Sequence, residues 1–316
     1  MTARLAILCP GQGGQHAAMF DLLRNDARGS EILQQFALDQ RLGHALDAIL
    51  GDTQRLFANL QAQPLVVAAG LAAWQVLREA LPMSMAMPAL VAGYSIGELT
   101  AYGIAASLPA TAIIDLAIAR ARCMDACLAS EPAQGLMSVS GMAVAEAATV
   151  LAQQHAFVAI ETGFDTLIAG GRTTDLLAAQ RQCETAGAGV RTGLLPVGIA
   201  SHTPLMAAAT IPFMTALAGT PFKDPAIPVL AGISAQEVHD KALAQATLAQ
   251  QLTTTIRWSA CMDACAERGI TVALELGPGS ALSRMLRERQ PQIECRSLAD
   301  FRTLAGALAW LQSRLG

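Results

Sequence analysis

The segment Gly93-Tyr94-Ser95-Ile96-Gly97 sets a serine between two glycines, after the apolar run Ala89-Leu90-Val91-Ala92 and before Glu98-Leu99-Thr100-Ala101-Tyr102. This order predicts a short buried strand, a tight turn and a helix, the setting of a nucleophile elbow. Glycine is required on both sides because larger side chains would collide with the turn and the helix. The helix start also leaves the N–H of Ile96 unpaired, where an oxyanion would form. The chemistry this permits is attack of a serine hydroxyl on an acyl carbonyl.

Such a serine needs a base, and the chain has five histidines: His16, His44, His155, His202 and His239. His202 is the best placed. It precedes Thr203-Pro204, which reads as the N-cap and first-turn proline of a new helix. The histidine is therefore expected at a strand end, on the elbow's side of the sheet. No aspartate follows in an orienting position, so either a backbone carbonyl or a third member hidden in the sequence holds the imidazole.

Arg120 is a second candidate. Ile113, Ala117, Arg120, Met124 and Leu128 recur at spacings of three or four on a helix expected from about Ala110 to Leu128. Arg120 thus interrupts an apolar face, where an unpaired guanidinium costs several kcal/mol. Two partners are open: Glu98 within the protein, or a substrate carboxylate held by two parallel hydrogen bonds, which arginine's fork fits and lysine does not. The loop Pro10-Gly11-Gln12-Gly13-Gly14-Gln15 lacks the glycine spacings of phosphate-binding loops. Its backbone, above all the N–H of Gln12, is expected to supply a second oxyanion donor.

At 316 residues the chain can bury one large core and a second, smaller unit. It is 53% hydrophobic and 15% charged, with mean hydropathy +0.40, outside the disordered range. The apolar stretches Leu65–Trp74 and Gly103–Ile114 are broken by Gln75, Pro109 or Asp115, short of the ~18 residues of a membrane span. No membrane partner is expected. Met1 leads into an apolar strand without the layout of a signal peptide, which points to the cytoplasm. Net charge is −4, Lys223 and Lys241 are the only lysines, and no basic stripe carries interleaved aromatics, which argues against nucleic acid. The seven cysteines lack CxxC spacing and nearby histidines. The i,i+4 pairs Cys123/Cys127 and Cys261/Cys265 are each half a metal site, so no metal is expected.

The elements that must position these groups alternate. Leu5–Cys9 reads as a strand, followed by the glycine loop and several helices, including Pro64–Ala80 with proline in its first turn. Residues 130–197 read as β-α-β-β-α-β. Strands at Leu136–Ser140, Phe157–Ile160, Thr166–Ala169 and Val190–Val197 flank helices at Val144–Gln153 and Thr174–Thr185, a ferredoxin-like order whose ends lie side by side. Alternation resumes with Pro204–Ala218, Val229–Ala231, Ala244–Leu252, Ser259–Glu267, Thr271–Leu276, Ser280–Arg289 and a C-terminal helix. The expected fold is α/β: a large α/β-hydrolase-like domain with a parallel sheet (residues 1–129 and 198–316) carrying an inserted ferredoxin-like subdomain (130–197).

The ordered set of Pro10–Gln15, Gly93-Tyr94-Ser95-Ile96-Gly97-Glu98, Arg120, Ser201-His202, Gln251 and Glu275-Leu276-Gly277-Pro278-Gly279 resembles the malonyl-CoA:acyl carrier protein transacylase family over essentially the whole chain. The resemblance implies an acyltransferase with a coenzyme A thioester as substrate, an acyl carrier protein as partner and no bound cofactor. It makes Ser95 the acyl-accepting nucleophile and His202 its base. Arg120 would clamp the malonyl carboxylate, Gln12 and Ile96 would form the oxyanion hole, and the backbone carbonyl of Gln251 would orient His202.

Three features depart from the fatty-acid-synthesis pattern. Tyr94 stands where that pattern has histidine, Glu161-Thr162-Gly163-Phe164 replaces an asparagine-bearing stretch, and Ile199-Ala200 stands in place of Val-Pro. These look more like the transacylase (epsilon) subunit of malonate decarboxylase, whose acceptor is a small carrier subunit with a phosphopantetheine-type arm. Two other classes remain. A thioesterase or esterase of α/β-hydrolase type would pass the acyl group to water, but expects its histidine late in the chain. A non-catalytic carrier-binding scaffold gives no reason for Arg120 on an apolar face. Malonyl and methylmalonyl are not separated, since one methyl is worth only ~1–3 kcal/mol in a pocket. Arg284, Arg287, Arg289 and Arg296 are candidates for docking an acidic carrier.

Overall fold

The computed structural model describes residues 3–82, 85, 87–130, 133–187 and 189–316. Met1, from which the compartment was read, and residues 131, 132 and 188 of the expected insertion lie outside the described residues. The strands in chain order are β1 Leu5–Cys9, β2 Leu90–Gly93, β3 Gln134–Ser140, β4 Phe157–Glu161, β5 Thr166–Arg172, β6 Arg191–Leu194, β7 Val229–Leu230, β8 Glu237–Val238, β9 Ile256–Arg257, β10 Val272–Glu275 and β11 Glu294–Ser297. They form two sheets, ordered β11-β10-β1-β2-β7-β8 and β6-β3-β5-β4-β9.

In the larger sheet every pairing is parallel except that of the edge strand β8. The inner strands LAILC, LVAG and VALE are buried along their whole length, as a parallel sheet covered on both faces demands. Side chains alternate between two cores. Leu5, Ile7, Cys9 and Val91 face the helices Asn59–Ala80, Ala110–Ala126 and Ala207–Ala218, whereas Ala6, Leu8, Leu90 and Ala92 face Trp258, Cys261 and Leu286.

The smaller sheet pairs β3, β4, β5 and β6 antiparallel in the order that the ferredoxin-like reading requires. Met137, Val139 and Leu167 face its helices Val144–Gln153 and Thr173–Ala186. Leu136 and Ile160 point the other way, into the core beneath the larger sheet. The insertion is therefore not self-contained: β9, from the returning chain, extends this sheet by pairing parallel to β4.

Several boundaries differ from those expected. The strand at 190–197 shortens to Arg191–Leu194, and β8, β9 and β11 were not foreseen. β8 and β9 hold two residues each, too few to show a period. Pro64 is not in the first turn of its helix, which begins at Asn59. Asn59 Nδ2 ties that start to Ala121 O (3.2 Å) and Asp125 Oδ1 (2.9 Å) of the neighbouring helix, a tertiary contact that local propensity does not record. This 22-residue helix is, contrary to the sequence reading, long and apolar enough to cross a bilayer by length and composition. With 83% of its most apolar window buried, it behaves as a core helix.

Candidate active site

The elbow lies where β2 ends beside β1. Tyr94 N–H donates to Cys9 O (2.9 Å), and Gly97 and Glu98 donate back to Tyr94 O and Ser95 O, which opens the helix Gly97–Ile104. Ser95 takes φ = +55°, a left-handed conformation that costs a non-glycine residue strain. The flanking glycines are steric necessities. A Cβ on Gly93 would lie 2.3 Å from Glu98 Cα, and one on Gly97 would lie 2.1 Å from Cys9 O.

His202 is buried and also left-handed, at φ = +63°. Its Nε2 lies 2.7 Å from Ser95 Oγ and its Nδ1 2.6 Å from the backbone carbonyl of Gln251. A carbonyl only accepts, so Nδ1 carries the hydrogen and Nε2 turns its lone pair to the serine. Of the two ways of holding the imidazole, the structure has the backbone carbonyl. The expected seat at a strand end is corrected. His202 sits on the segment that returns from the smaller sheet, pinned by its own N–H to Leu252 O (2.9 Å). Thr203 does act as an N-cap, accepting from Leu205 N–H (3.3 Å), but the helix opens as a 3₁₀ turn, Pro204–Met206, before Ala207–Ala218.

Burial, and next the charge of Arg120, push the imidazole down to about 3. The unfolded chain would take up a proton that the fold refuses, so this group's stabilisation is present above pH 6.5 and is lost as pH falls from 6.5 toward 3. The neutral form persists across the physiological range. The acylation rate at saturating thioester should therefore stay flat between pH 5 and 8 in rapid-mixing measurements. An inflection near 6.5 would mean that the imidazole titrates as if exposed.

Arg120 is buried on the Ala110–Ala126 helix among Ile113, Ala117 and Met124. Its partners are neutral. Nη1 donates to Gln63 Oε1 (2.8 Å) and Nη2 to Gln251 Oε1 (3.1 Å). Glu98 does not touch it. Glu98 Oε2 accepts from Gln251 Nε2 (2.6 Å) and Gly232 N–H (3.0 Å), so one amide stands between the two charges. Burial lowers Arg120 to about 10 and raises Glu98 to about 7. The sequence reading missed Gln63 and the side-chain role of Gln251. The polar pair Asn59 and Gln63, four apart just before the apolar run Pro64–Trp74 and hydrogen-bonded to each other (2.5 Å), was the available signal for the first.

The glycine loop lies against the elbow, where a Cβ on Gly11 would meet Tyr94 O at 2.9 Å and Ser95 Cβ at 3.6 Å. The amides of Gln12 and Ile96 donate to no acceptor among the described residues. The loop is backed by Gly277-Pro278-Gly279: a Cβ on Gly14 would lie 2.4 Å from Pro278 O. Glu275 anchors that backing by accepting from Leu282 and Ser283 N–H (3.2 and 2.7 Å). A cavity of about 480 Å³ at the other end of the elbow helix, against Leu71, Trp74 and Leu108, contains none of these residues.

Tyr94 packs edge-on against Trp258, with ring centroids 5.3 Å apart, and Phe164 is exposed. Three of the four candidate docking arginines are engaged within the protein. Arg289 grips Asp263 at 2.7 and 2.6 Å, Arg296 lies 3.9 Å over the Phe301 ring, and Arg287 donates to Cys295 O (3.2 Å). Arg284 alone of the four is exposed without such a partner among the described residues.

A serine at a strand-helix elbow, hydrogen-bonded to a buried neutral imidazole beside two free amides, defines a site equipped for acyl chemistry. The family of acyl transferase domains matches residues 7–306, and the chain belongs to it. A curated relative, the malonyl CoA-acyl carrier protein transacylase of Mycobacterium tuberculosis, is 30% identical over 304 residues, covering 95% of this chain and 99% of its own. The crystal structure of MCAT from the same organism superposes with a TM-score of 0.87 at 29% identity, covering 99% of this chain and all of that one. A malonyl-transacylase solved in complex with a type II PKS acyl-carrier protein superposes with a TM-score of 0.89 at 25% identity, covering 97% and 99%.

Proposed function

We propose that the protein moves a malonyl group from coenzyme A to the pantetheine thiol of an acyl carrier protein, through a malonyl ester on Ser95. The observation that carries this reading is the Ser95–His202–Gln251 relay, 2.7 and 2.6 Å long, with the buried guanidinium of Arg120 close enough to depress the imidazole. His202 Nε2 takes the serine proton as Oγ attacks the thioester carbonyl. The amides of Gln12 and Ile96 receive the developing oxyanion, and the C–S bond breaks with the proton passing from His202 to the departing thiol. The carrier thiol then repeats the cycle in reverse on the ester. Arg120 accounts for acyl choice: a neutral acyl group leaves the guanidinium without an anion, whereas a malonyl carboxylate supplies one.

The relatives that the chain matches are carrier protein transacylases, which favours that acceptor over the malonate decarboxylase carrier read from the elbow sequence. The second acceptor retains one specific support. Tyr94, the elbow residue on which that reading rests, packs edge-on against Trp258 next to the nucleophile. One experiment tests both. The protein is loaded with radiolabelled malonyl-CoA, the ester is isolated, and its discharge is timed against an acyl carrier protein, a decarboxylase carrier subunit and buffer. Fast discharge to the first supports the main reading, and faster discharge to the second transfers the protein to the decarboxylase system. Rapid loss to buffer makes it a hydrolase. Absence of label, with Ser95→Ala indistinguishable from the parent in every assay, leaves only a scaffold.

A further inference from the structure

Glu98 is the one buried carboxylate in the Arg120 network, and it is not arranged as a simple ion pair. Gln251 separates it from Arg120, with the amide turned so that Nε2 faces the carboxylate and Oε1 faces the guanidinium. A flipped amide would set donor against donor and acceptor against acceptor, so the two charges lock its orientation. Through this spacer Glu98 offsets the charge of Arg120 without occupying its fork, and among the described residues two of the five guanidinium N–H donors find acceptors, both neutral amides. The carboxylate itself is unevenly served. Oε2 accepts two hydrogen bonds, while Oε1 is buried and accepts none among the described residues. An orphan oxygen disfavours the ionised form and is a natural seat for a proton.

Resting on the malonyl reading of the site, we propose that Glu98 is an exchangeable counter-ion: ionised opposite Arg120 while the site is empty, and protonated on Oε1 when a substrate carboxylate takes over that cation. One buried positive charge cannot balance two buried carboxylates, so arrival of the second expels the charge of the first, with the proton drawn from solvent. The other titratable groups around Glu98 do not take this role. The Cys261 thiol and the Tyr102 phenol are pushed up by burial and stay neutral, and the His202 imidazole is already neutral. Glu98 alone stands near 7. Glu98 is thus a specificity-determining residue that acts through Gln251. It makes malonyl binding dependent on proton uptake, and leaves the binding of uncharged acyl groups independent of it.

The test is calorimetric titration of malonyl-CoA and acetyl-CoA into the Ser95→Ala protein, which cannot form the ester, at pH 7.5 in buffers of different ionisation enthalpy. The excess uptake with malonyl-CoA over acetyl-CoA, which cancels titration of the shared phosphates, should be between about half and one proton. In the Ser95→Ala, Glu98→Gln protein the excess should vanish while malonyl-CoA still binds. Should the Gln substitution unfold the protein, the pH series on Ser95→Ala decides: the malonyl-to-acetyl affinity ratio should fall roughly tenfold per pH unit above 7. Malonyl binding with no excess uptake overturns the proposal and leaves the transacylase reading standing. Excess that persists in Glu98→Gln overturns it too and assigns the proton elsewhere. Failure to bind malonyl-CoA more tightly than acetyl-CoA at any pH defeats the clamp, and this proposal with it.

Discussion

Arg120→Ala should lower kcat/KM for malonyl transfer by about 2–5 kcal/mol, roughly thirtyfold to several thousandfold, while acetyl transfer changes by less than about threefold. The asymmetry comes from what the guanidinium touches. Its protein partners are the neutral amides of Gln63 and Gln251, so the substrate carboxylate is the first anion to meet it directly. With an acetyl group there is no such anion. Removing the arginine then costs only its hydrogen bonds to the Gln63 and Gln251 side chains and its smaller share in holding down the imidazole, which burial, the larger cause, still keeps neutral. The stranded Glu98 can protonate, which limits the cost to folding. Steady-state rates with both thioesters check the expectation. A loss of equal size with both would assign Arg120 to the scaffold of the site and not to selection.

His202→Ala should slow formation of the acyl-enzyme by about 10²–10⁴-fold with little change in thioester affinity. The reason is the tautomer imposed by the Gln251 carbonyl, which makes Nε2 the acceptor of the serine proton. The substitution also leaves that carbonyl without its donor, a cost of about 1–3 kcal/mol in stability. Added imidazole separates the two effects, because a diffusible base in the vacated space restores proton transfer and does not restore folding. Burst-phase measurements with and without imidazole are the check. A variant with the parental burst would remove His202 from the chemistry.

How far these groups could be read from the chain depends on how local their signals are. Ser95 was legible because the collision that demands Gly93 is set within one strand, one turn and one helix, although the demand for Gly97 comes from Cys9 on the neighbouring strand. Arg120 was legible because helical spacing alone puts it on an apolar face. The seat of His202 was misread, since the residue is placed by contacts with Leu252 and Gln251, some fifty positions away, and not by the strand before it. Gln251 was recognised through its carbonyl only. Its side chain joins residues 131 and 153 positions distant, and no local pattern encodes such a pairing. The two sheets were legible from alternation, yet β8 and β9 escaped because two residues carry no period.

The pairing of β9 with β4 sets a limit on how this protein can be cut and recombined. The stretch that bears Gln251 runs within five residues into Ile256, which hydrogen-bonds into the very sheet contributed by the insertion. A chimera that exchanges only residues 130–197 with a relative would lay a foreign edge against the native strand, and would disturb the carbonyl that steers the imidazole. A graft meant to change acceptor preference should therefore transplant the 251–258 segment together with the insertion.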